Sequence, residues 1–330
     1  MELTLLLLLQ LLSIFAAAVL ILGLIFIKIT TNDVTPVIGR YDCEKIFKDP
    51  ATGEKQKFPF LDDKSSILLS VVVPSYNEES RLPVMLTETC DYLEKREKND
   101  PAFTYEIIVV DDGSKDKTTE VALNFARERK SSNIRVLTFK KNRGKGGAVR
   151  MGVLSSRGEK ILMVDADGAT KFEDLDSVEK ALDDLKGGRN GMAVSVGSRA
   201  HLQDDAVAQR NWLRNILMYG FHFLVFFLCV KGIKDTQCGF KLFTRKAALR
   251  LFSCLHVERW AFDVELLYIA QCLGIPIAEV AVNWQEIDGS KMIPIFSWLQ
   301  MGKDLLLIRL RYVISAWKIA EGPATVIDLK

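Results

Sequence analysis

The sequence has neither the paired cysteines nor the cysteine–histidine spacing of a thiolate metal site. Its six cysteines are scattered along the chain without a C-x-x-C pair, and the chain contains only three histidines. This pattern argues against metal binding by thiolates. It also favours a reducing compartment over a framework of disulfide bonds.

Two common nucleotide-binding signatures are missing as well. No G-x-x-x-x-G-K-[ST] motif occurs, and the G-K-G-G stretch at residues 144–147 lacks the third glycine of a dinucleotide fingerprint. These absences argue against a P-loop NTPase and against an NAD-dependent enzyme. The net charge of +2 gives no case for nucleic-acid binding by the chain as a whole.

The most informative motif that is present is Asp165-Ala166-Asp167, which directly follows the apolar residues 161–164. Residues i and i+2 of an extended segment point the same way, so a strand that ends here presents two carboxylates side by side. Such carboxylates repel unless a cation lies between them. Oxygen ligands without a nearby histidine or cysteine favour Mg²⁺ or Mn²⁺. Taken alone, the motif could also be two solvated acids in a turn.

Three earlier apolar runs, at residues 67–73, 107–110 and 134–139, also end in polar clusters. Such runs are typical of strands buried on both faces. Helical patterns at residues 82–98 and 118–130 separate them. Alternating strands and helices predict a mostly parallel α/β sheet, which binds its ligands beyond the carboxyl ends of the strands. The polar clusters fall at those ends and strengthen the case for a site at the two aspartates.

Residues 3–27 are almost uninterrupted apolar side chains. At a rise of about 1.5 Å per residue, a helix of this length can cross a ~30 Å hydrocarbon core. We therefore predict an uncleaved transmembrane anchor at residues 1–28. Basic residues follow it from Lys28 onward and none precedes it, so the positive-inside rule places the body of the protein in the cytoplasm.

The rest of the chain divides into three predicted parts. Residues 29–66 are interpreted as a polar connector and residues 67–292 as the α/β domain, which includes a Phe-rich apolar helix near residues 211–231. Residues 293–330 mix aliphatic side chains with basic and aromatic ones, as in helices that lie in a membrane interface, and end in a tail. A packed core helix is the alternative for both apolar regions.

Several segments in order resemble the family 2 glycosyltransferases that use nucleotide sugars. The resemblance covers about residues 69–291. Its motifs are V-V-V-P-S-Y-N-E-E at 71–79, V-V-D-D-G-S at 109–114, D-A-D at 165–167, G-S-R at 197–199, D-T-Q-C-G-F at 235–240 and G-S-K at 289–291. The last three are similar to the branch that transfers sugars to polyprenyl phosphates.

The resemblance implies a GT-A-type, Rossmann-like catalytic domain with a divalent cation, Mg²⁺ or Mn²⁺. It implies transfer of glucose from UDP-glucose to dolichyl phosphate with inversion, as a step in lipid-linked oligosaccharide assembly for N-glycosylation. The enzyme would be held at the lipid bilayer of the endoplasmic reticulum with its site facing the cytoplasm. The resemblance leaves open whether the protein forms a homo-oligomer.

The resemblance also assigns residues to the nucleotide. Under it, Pro74 fixes a turn, Tyr76 contacts the uracil ring, Glu78 accepts hydrogen bonds from the ribose hydroxyls, and Asp112 accepts one from uracil N3–H. A turn that starts a helix is the structural alternative for Tyr76 and Glu78. The remaining donor-binding assignments are Lys145, Asp165, Ala166 and Lys291.

The cation and the acceptor phosphate have their own predicted residues. Asp167 is the first choice as metal ligand, with Asp165 either a second ligand or a ribose contact. Mannose-transferring relatives carry a polar residue where this chain has Ala169, so another ligand or a water must complete the shell. The acceptor-phosphate residues are Arg199, Arg210 and Arg214, of which the last two could instead be an ordinary solvated or snorkelling pair. Asp263 is the predicted acceptor-side acid, and the predicted catalytic residues are Asp167, Arg199 and Asp263.

Three rival functions remain at this point. The nearest is a transferase of the same fold that uses GDP-mannose or another sugar donor, because the spacing does not distinguish glucose from mannose. A processive polysaccharide synthase is disfavoured because His256 stands where its Q-x-x-R-W signature requires glutamine. The rival from another class is a membrane-anchored, non-catalytic nucleotide-binding scaffold, against which the intact D-x-D motif argues.

Overall fold

The computed structural model describes residues 2–31, 34–50, 52–131, 133–185, 189–202, 220, 224–287, 294–322 and 324–329. Three predicted site residues, Arg210, Arg214 and Lys291, lie outside this set, as does most of the predicted Phe-rich helix. The described strands are β1 (Val37–Tyr41), β2 (Ile46–Lys48), β3 (Lys55–Lys57), β4 (Ile67–Ser75), β5 (Tyr105–Asp111), β6 (Ile134–Thr138), β7 (Gly158–Met163), β8 (Val194–Ser198), β9 (Lys241–Thr244), β10 (Ile277–Ala281) and β11 (Thr325–Leu329). The described α-helices of eight residues or more are α1 (Glu2–Thr30), α2 (Leu82–Asn99), α3 (Thr118–Glu128), α4 (Lys145–Leu154), α5 (Leu175–Asp184), α6 (Arg245–Phe252), α7 (Phe262–Cys272) and α8 (Pro294–Val313).

A seven-stranded sheet in the order β10-β8-β9-β7-β4-β5-β6 forms the centre of the molecule. Strand β4 pairs in parallel with β5 and β7, β5 pairs in parallel with β6, and β8 pairs in parallel with β10. Only β9 runs against its neighbours, between β7 and β8. The predicted mostly parallel α/β sheet is confirmed, with one antiparallel strand in its middle.

The apolar runs form strands because helices cover both faces of the sheet. Val72 joins a buried cluster with residues of α4, α6 and α7, whereas its neighbours Val71 and Val73 join a second cluster with residues of α2, α3 and α5. All three valines are completely buried. Alternate residues of a strand face opposite sides, so a strand covered on both sides is apolar throughout.

The segment predicted as a connector contains structure that its composition did not indicate. Strands β2 and β3 form an antiparallel hairpin, and β1 pairs in parallel with β11 near the other end of the chain. Ile38 and Phe47 of this segment are buried in the cluster beneath the sheet. The segment therefore packs on the α/β domain.

Helix α1 begins the chain, and its part Leu9–Thr30 is long and apolar enough to cross a membrane. None of that span is buried against the rest of the protein. At the other end, α8 buries Met301, Leu305 and Ile308 against the core while Leu306 and Val313 remain exposed. Helix α8 therefore packs on the core by one face and still presents apolar side chains outward.

The close approach of β4 and β7 at Gly158 gives a test of the sheet. A Cβ atom at residue 158 would lie 2.6 Å from the backbone nitrogen of Ser70 and 2.6 Å from the carbonyl oxygen of Lys160. We expect Gly158→Ala to lower the free energy of unfolding by about 1–3 kcal/mol, because backbone atoms must move to admit the methyl group. Thermal unfolding in detergent measures this. Gly322→Ala, whose Cβ would meet nothing within 4 Å, is the control; equal unfolding temperatures for the two variants would contradict the predicted crowding.

Candidate active site

The carboxyl ends of β4, β5, β7 and β8 carry most of the predicted site residues that the structure describes. Pro74 and Ser75 complete β4, Asp112 follows β5, Asp165 and Asp167 follow β7, and Arg199 follows β8. Lys145, the first residue of α4, reaches the same edge and contacts Asp165. The sheet thus brings together side chains from five separate stretches of sequence.

Asp165 is held in place by a lysine and by a glycine. Its Oδ1 lies 2.6 Å from Lys145 Nζ. On another side, a Cβ atom at Gly239 would lie only 2.0 Å from Asp165 Oδ2. Glycine is therefore required in the D-T-Q-C-G-F motif to leave room for the first carboxylate of the D-A-D motif.

A second glycine places Lys145. Gly144 precedes α4 with φ of 91°, in the region that favours glycine. A Cβ atom there would lie 2.8 Å from the carbonyl oxygen of Glu258. Gly144 lets the chain turn into α4 so that Lys145 stands at the helix N-terminus, where the helix dipole favours a negatively charged ligand.

The two aspartates experience opposite electrostatic environments. Burial alone would raise the pKa of Asp165, but the charges of Lys145, Lys241 and Arg199 outweigh it and lower the pKa. Burial and the charge of Asp165 raise the pKa of Asp167, although the Ala169 N–H donates a hydrogen bond to its Oδ1. Nearby positive charges thus outweigh burial at Asp165, whereas burial and the charge of Asp165 outweigh the compensating groups at Asp167.

This donor set fits a small divalent cation. Magnesium is bound in many enzymes by one or two carboxylates, with its remaining ligands from substrate phosphates and water. Within the described ranges, no group of three or more His, Cys, Asp or Glu side chains could hold a metal ion. A cation at Asp165 and Asp167 would therefore take its further ligands from a bound substrate or from water.

A buried ion pair lies behind the aspartates. Asp263, in the first turn of α7, is 3% exposed, and its Oδ1 lies 2.6 Å from Nζ of the completely buried Lys241. Lys241 Nζ also donates to the carbonyl oxygen of Cys238. Burial raises the pKa of Asp263, and Lys241 and Lys145 only partly offset it. Lys241 was not predicted from the sequence; the signal that could have identified it is a lysine between apolar residues, with Phe240 before it and Leu242 and Phe243 after it.

Arg199 is fixed by an acid that the sequence analysis did not assign. Its Nε and Nη2 donate to the two carboxylate oxygens of Asp235 at 2.7 and 3.0 Å. Burial raises the pKa of Asp235, but the hydrogen bonds and charge of Arg199 lower it to about 2. The Arg199 guanidinium carbon also lies 5.4 Å from the ring centroid of Trp284. Arg199 is therefore held as a planar fork with part of its donor capacity facing away from Asp235.

The loop after β4 is tied to the loop after β5. Asn77 has φ of 53°, its N–H donates to Ser114 Oγ, and its side-chain oxygen accepts from Lys115 N–H. Glu78 accepts hydrogen bonds from Arg81 Nε and Nη2 at 2.7 and 2.6 Å. The half-buried Tyr76 lies between these anchored residues. Nucleotide contacts by Tyr76 and Glu78 stay predictions.

Asp112 joins the end of β5 to the glycine-rich loop. Its Oδ1 accepts from Arg143 N–H at 2.7 Å, and its Oδ2 accepts from Gly144 N–H and from Asn142 Nδ2, both at 2.8 Å. Burial raises the pKa of Asp112 to about 6 even though these backbone donors lower it. Three of roughly four acceptor positions are used, so one stays available for a ligand.

Comparisons with known proteins agree with this fold. The family model described as glycosyl transferase family 2 matches residues 70–252. A human protein named dolichyl-phosphate beta-glucosyltransferase is 62% identical over 306 residues, covering 93% of this chain and 94% of its own length. The protein of the same name from Saccharomyces cerevisiae is 44% identical and covers 78% of each chain.

Among solved structures, the fold is similar to glucosyl-3-phosphoglycerate synthase from Mycobacterium tuberculosis, in complex with Mn²⁺, UDP-glucose and phosphoglyceric acid. The TM-score is 0.53 at 17% identity, covering 74% of this chain and 80% of that chain. Mannosyl-3-phosphoglycerate synthase from Rubrobacter xylanophilus gives 0.52 at 16% identity, covering 75% and 74%. The fold is thus that of GT-A glycosyltransferases. The chain belongs to glycosyl transferase family 2.

The raised pKa of Asp112 predicts a pH dependence of stability. The folded protein holds this proton up to about pH 6, whereas the ordinary carboxyl value is 3.8. Protonation of the Asp112 carboxyl therefore stabilises the folded protein at low pH, and this stabilisation is lost as the pH rises through about 6. Relative to Asp112→Asn, we expect the free energy of unfolding of the wild type to fall by on the order of 2–3 kcal/mol between about pH 4 and pH 7.

Denaturant unfolding at several pH values measures this difference. Asp184→Asn, at an exposed position at the end of α5, should follow the wild type. Parallel profiles for the wild type and Asp112→Asn would show that the Asp112 carboxyl has no raised pKa.

Proposed function

We propose that the protein transfers glucose from UDP-glucose to dolichyl phosphate with inversion, giving dolichyl β-D-glucosyl phosphate and UDP. The observation that carries the proposal is the 62% identity to a human protein named dolichyl-phosphate beta-glucosyltransferase over 93% of this chain. The sheet-edge cluster of Asp112, Lys145, Asp165, Asp167 and Arg199 supports it with suitable chemistry. We place the enzyme in lipid-linked oligosaccharide assembly for N-glycosylation.

On the donor side, each residue meets a different part of UDP-glucose. Asp112 accepts a hydrogen bond from uracil N3–H, and Tyr76 and Glu78 bind the uridine from the loop after β4. Lys145 contributes a positive charge at a helix N-terminus to the diphosphate, supported by Lys291. Asp165 and Asp167 hold Mg²⁺ or Mn²⁺, which when bound stabilises the negative charge that develops on the departing diphosphate.

On the acceptor side, the nucleophile needs little activation. The second pKa of a phosphate monoester is near ~6, so dolichyl phosphate is largely a dianion at neutral pH. Positioning and charge compensation then matter more than a general base. Arg199 holds the phosphate with the donors that Asp235 leaves free, and Arg210 and Arg214 hold the head group at the membrane surface. The buried Asp263 pairs with Lys241 beside the aspartates.

The distribution of exposed apolar side chains supports binding of the enzyme to a membrane. Helix α1 anchors the chain, and exposed side chains of α8, the 224–228 helix and the loop before α7 provide further apolar contact. These are Leu306, Val313, Phe226, Phe227 and Trp260. The basic residues that follow α1 support a site on the cytoplasmic side, and the proposed membrane is that of the endoplasmic reticulum.

The deciding experiment supplies purified protein with dolichyl phosphate, a divalent cation and radiolabelled UDP-glucose or GDP-mannose. We expect label in the lipid product with UDP-glucose only. Asp167→Asn should reduce turnover by on the order of 10²-fold or more, because a preorganised charge at the transition state is lost. Asp184→Asn is the matched surface control. Transfer from GDP-mannose alone would show that the donor is GDP-mannose and not UDP-glucose. Absence of transfer from both donors would contradict the enzymatic function and favour a non-catalytic nucleotide-binding scaffold.

A second prediction tests the acceptor phosphate. Two of the five side-chain N–H donors of Arg199 serve Asp235, and among the described residues no other acceptor takes the remaining three. Lysine keeps the charge but loses the fork. We expect Arg199→Lys to lower kcat/KM for dolichyl phosphate by about 1–3 kcal/mol of transition-state stabilisation.

Affinity for UDP, measured by calorimetry without acceptor, should change much less in Arg199→Lys. A collapse of UDP affinity with unchanged acceptor kinetics would assign Arg199 to the donor diphosphate instead.

A further inference from the structure

Glu44 is a completely buried carboxylate in the segment between the membrane helix and the catalytic sheet. It lies in the 3-10 turn Asp42–Lys45 that follows β1. None of the functional roles considered so far uses it. A buried carboxylate is costly unless it is paired, so its partners indicate its role.

Those partners belong mainly to the loop that leads into α4. Arg143 Nη2 lies 2.5 Å from Glu44 Oε2, and Lys140 N–H donates to Glu44 Oε1 at 3.2 Å. Glu44 also accepts from the nearby Tyr41 N–H. The other terminal nitrogen of Arg143 donates to the carbonyl oxygen of Gly39 at 2.7 Å. The N-terminal segment thus grips residues 140–143 at two points.

The same loop is bound on its inner side by Asp112. Arg143 takes part on both sides, since its side chain is held by Glu44 while its backbone N–H donates to Asp112 Oδ1. The next N–H, of Gly144, donates to Asp112 Oδ2, and Lys145 follows directly. A displacement of Arg143 would therefore move both the Asp112 carboxylate and the start of α4.

The turn that carries Glu44 is itself held in place by β11. Strand β1 is paired along its whole length with β11. The side chain of Leu329 packs directly on Gly39, where an added Cβ atom would lie 2.7 Å from Leu329 Cδ1. Lys45, adjacent to Glu44, makes an ion pair with Asp328 of β11 at 2.8 Å. The turn that carries Glu44 is thereby fixed on the catalytic domain and not only at the end of the anchor.

We propose that Glu44 is a positioning residue for the nucleotide sugar, acting through Arg143 to fix the loop of residues 140–144, which holds the Asp112 carboxylate and presents Lys145 to the uridine diphosphate. This inference rests on the proposed use of UDP-glucose. Glu44 itself touches no substrate. Its effect should therefore appear in donor binding and leave acceptor binding unchanged, which a general loss of stability would not do.

The test is Glu44→Gln in the full-length protein. We expect the dissociation constant for UDP, measured by calorimetry, and the KM for UDP-glucose to rise about tenfold or more, because small misplacements of binding groups have large effects. The KM for dolichyl phosphate should stay within about twofold of the wild type. Asp42→Asn is the control, because Asp42 lies in the same turn, its side chain is 91% exposed, and its one ion pair among the described residues is with Lys45.

Two further variants keep the test decisive if Glu44→Gln folds poorly. Glu44→Asp retains the charge but shortens the side chain, and should weaken UDP binding in a protein that unfolds near the wild-type temperature. Glu44→Gln combined with Arg143→Gln should weaken UDP binding no more than the stronger of the two single changes, because both act through one contact.

Wild-type UDP affinity in a folded Glu44→Gln or Glu44→Asp variant would overturn the inference, as would an equal rise in KM for both substrates. Fully additive effects of the Glu44 and Arg143 changes would overturn it too. Failure of the wild-type protein to bind UDP would instead refute the proposed function, so the two failures are distinguishable.

Discussion

The repulsion between two carboxylates at the end of a buried strand is the constraint around which the site is arranged. Asp165 is compensated by Lys145, Lys241 and Arg199, whereas Asp167 keeps a raised pKa beside it. The three cationic groups come from the start of α4, from β9 and from the end of β8. They meet only when the sheet is complete, so the electrostatic balance of the site depends on the correct order of its strands.

Much of the first half of the catalytic domain could be predicted, because its signals are local. The runs at 67–73, 107–110 and 134–139 became β4, β5 and β6, with boundaries shifted by at most two residues. Their polar ends meet at one edge, as the rule for parallel sheets requires. The antiparallel β9 was not predicted, because strand order depends on packing between elements that are distant in sequence.

The partners of the site residues were harder to predict than the residues themselves. Arg199 stood out as a phosphate-binding residue, but its pairing with Asp235 follows from the loops after β8 and before β9 meeting in space. Asp263 stood out as an acid, but its partner Lys241 is buried in a strand. Likewise, the polar composition of residues 29–66 hid β1, whose pairing partner β11 lies near the opposite end of the chain. A composition pattern carries no information about such distant partners.

The pairing of β1 with β11 also bears on how the protein folds. Few residue pairs in the chain are farther apart in sequence than Val37 and Thr325, so closing this contact from an unfolded chain has a large entropic cost. The intervening α/β domain brings both strands to the same surface and so reduces that cost. The β1–β11 pair therefore depends on the domain that lies between the two strands in sequence.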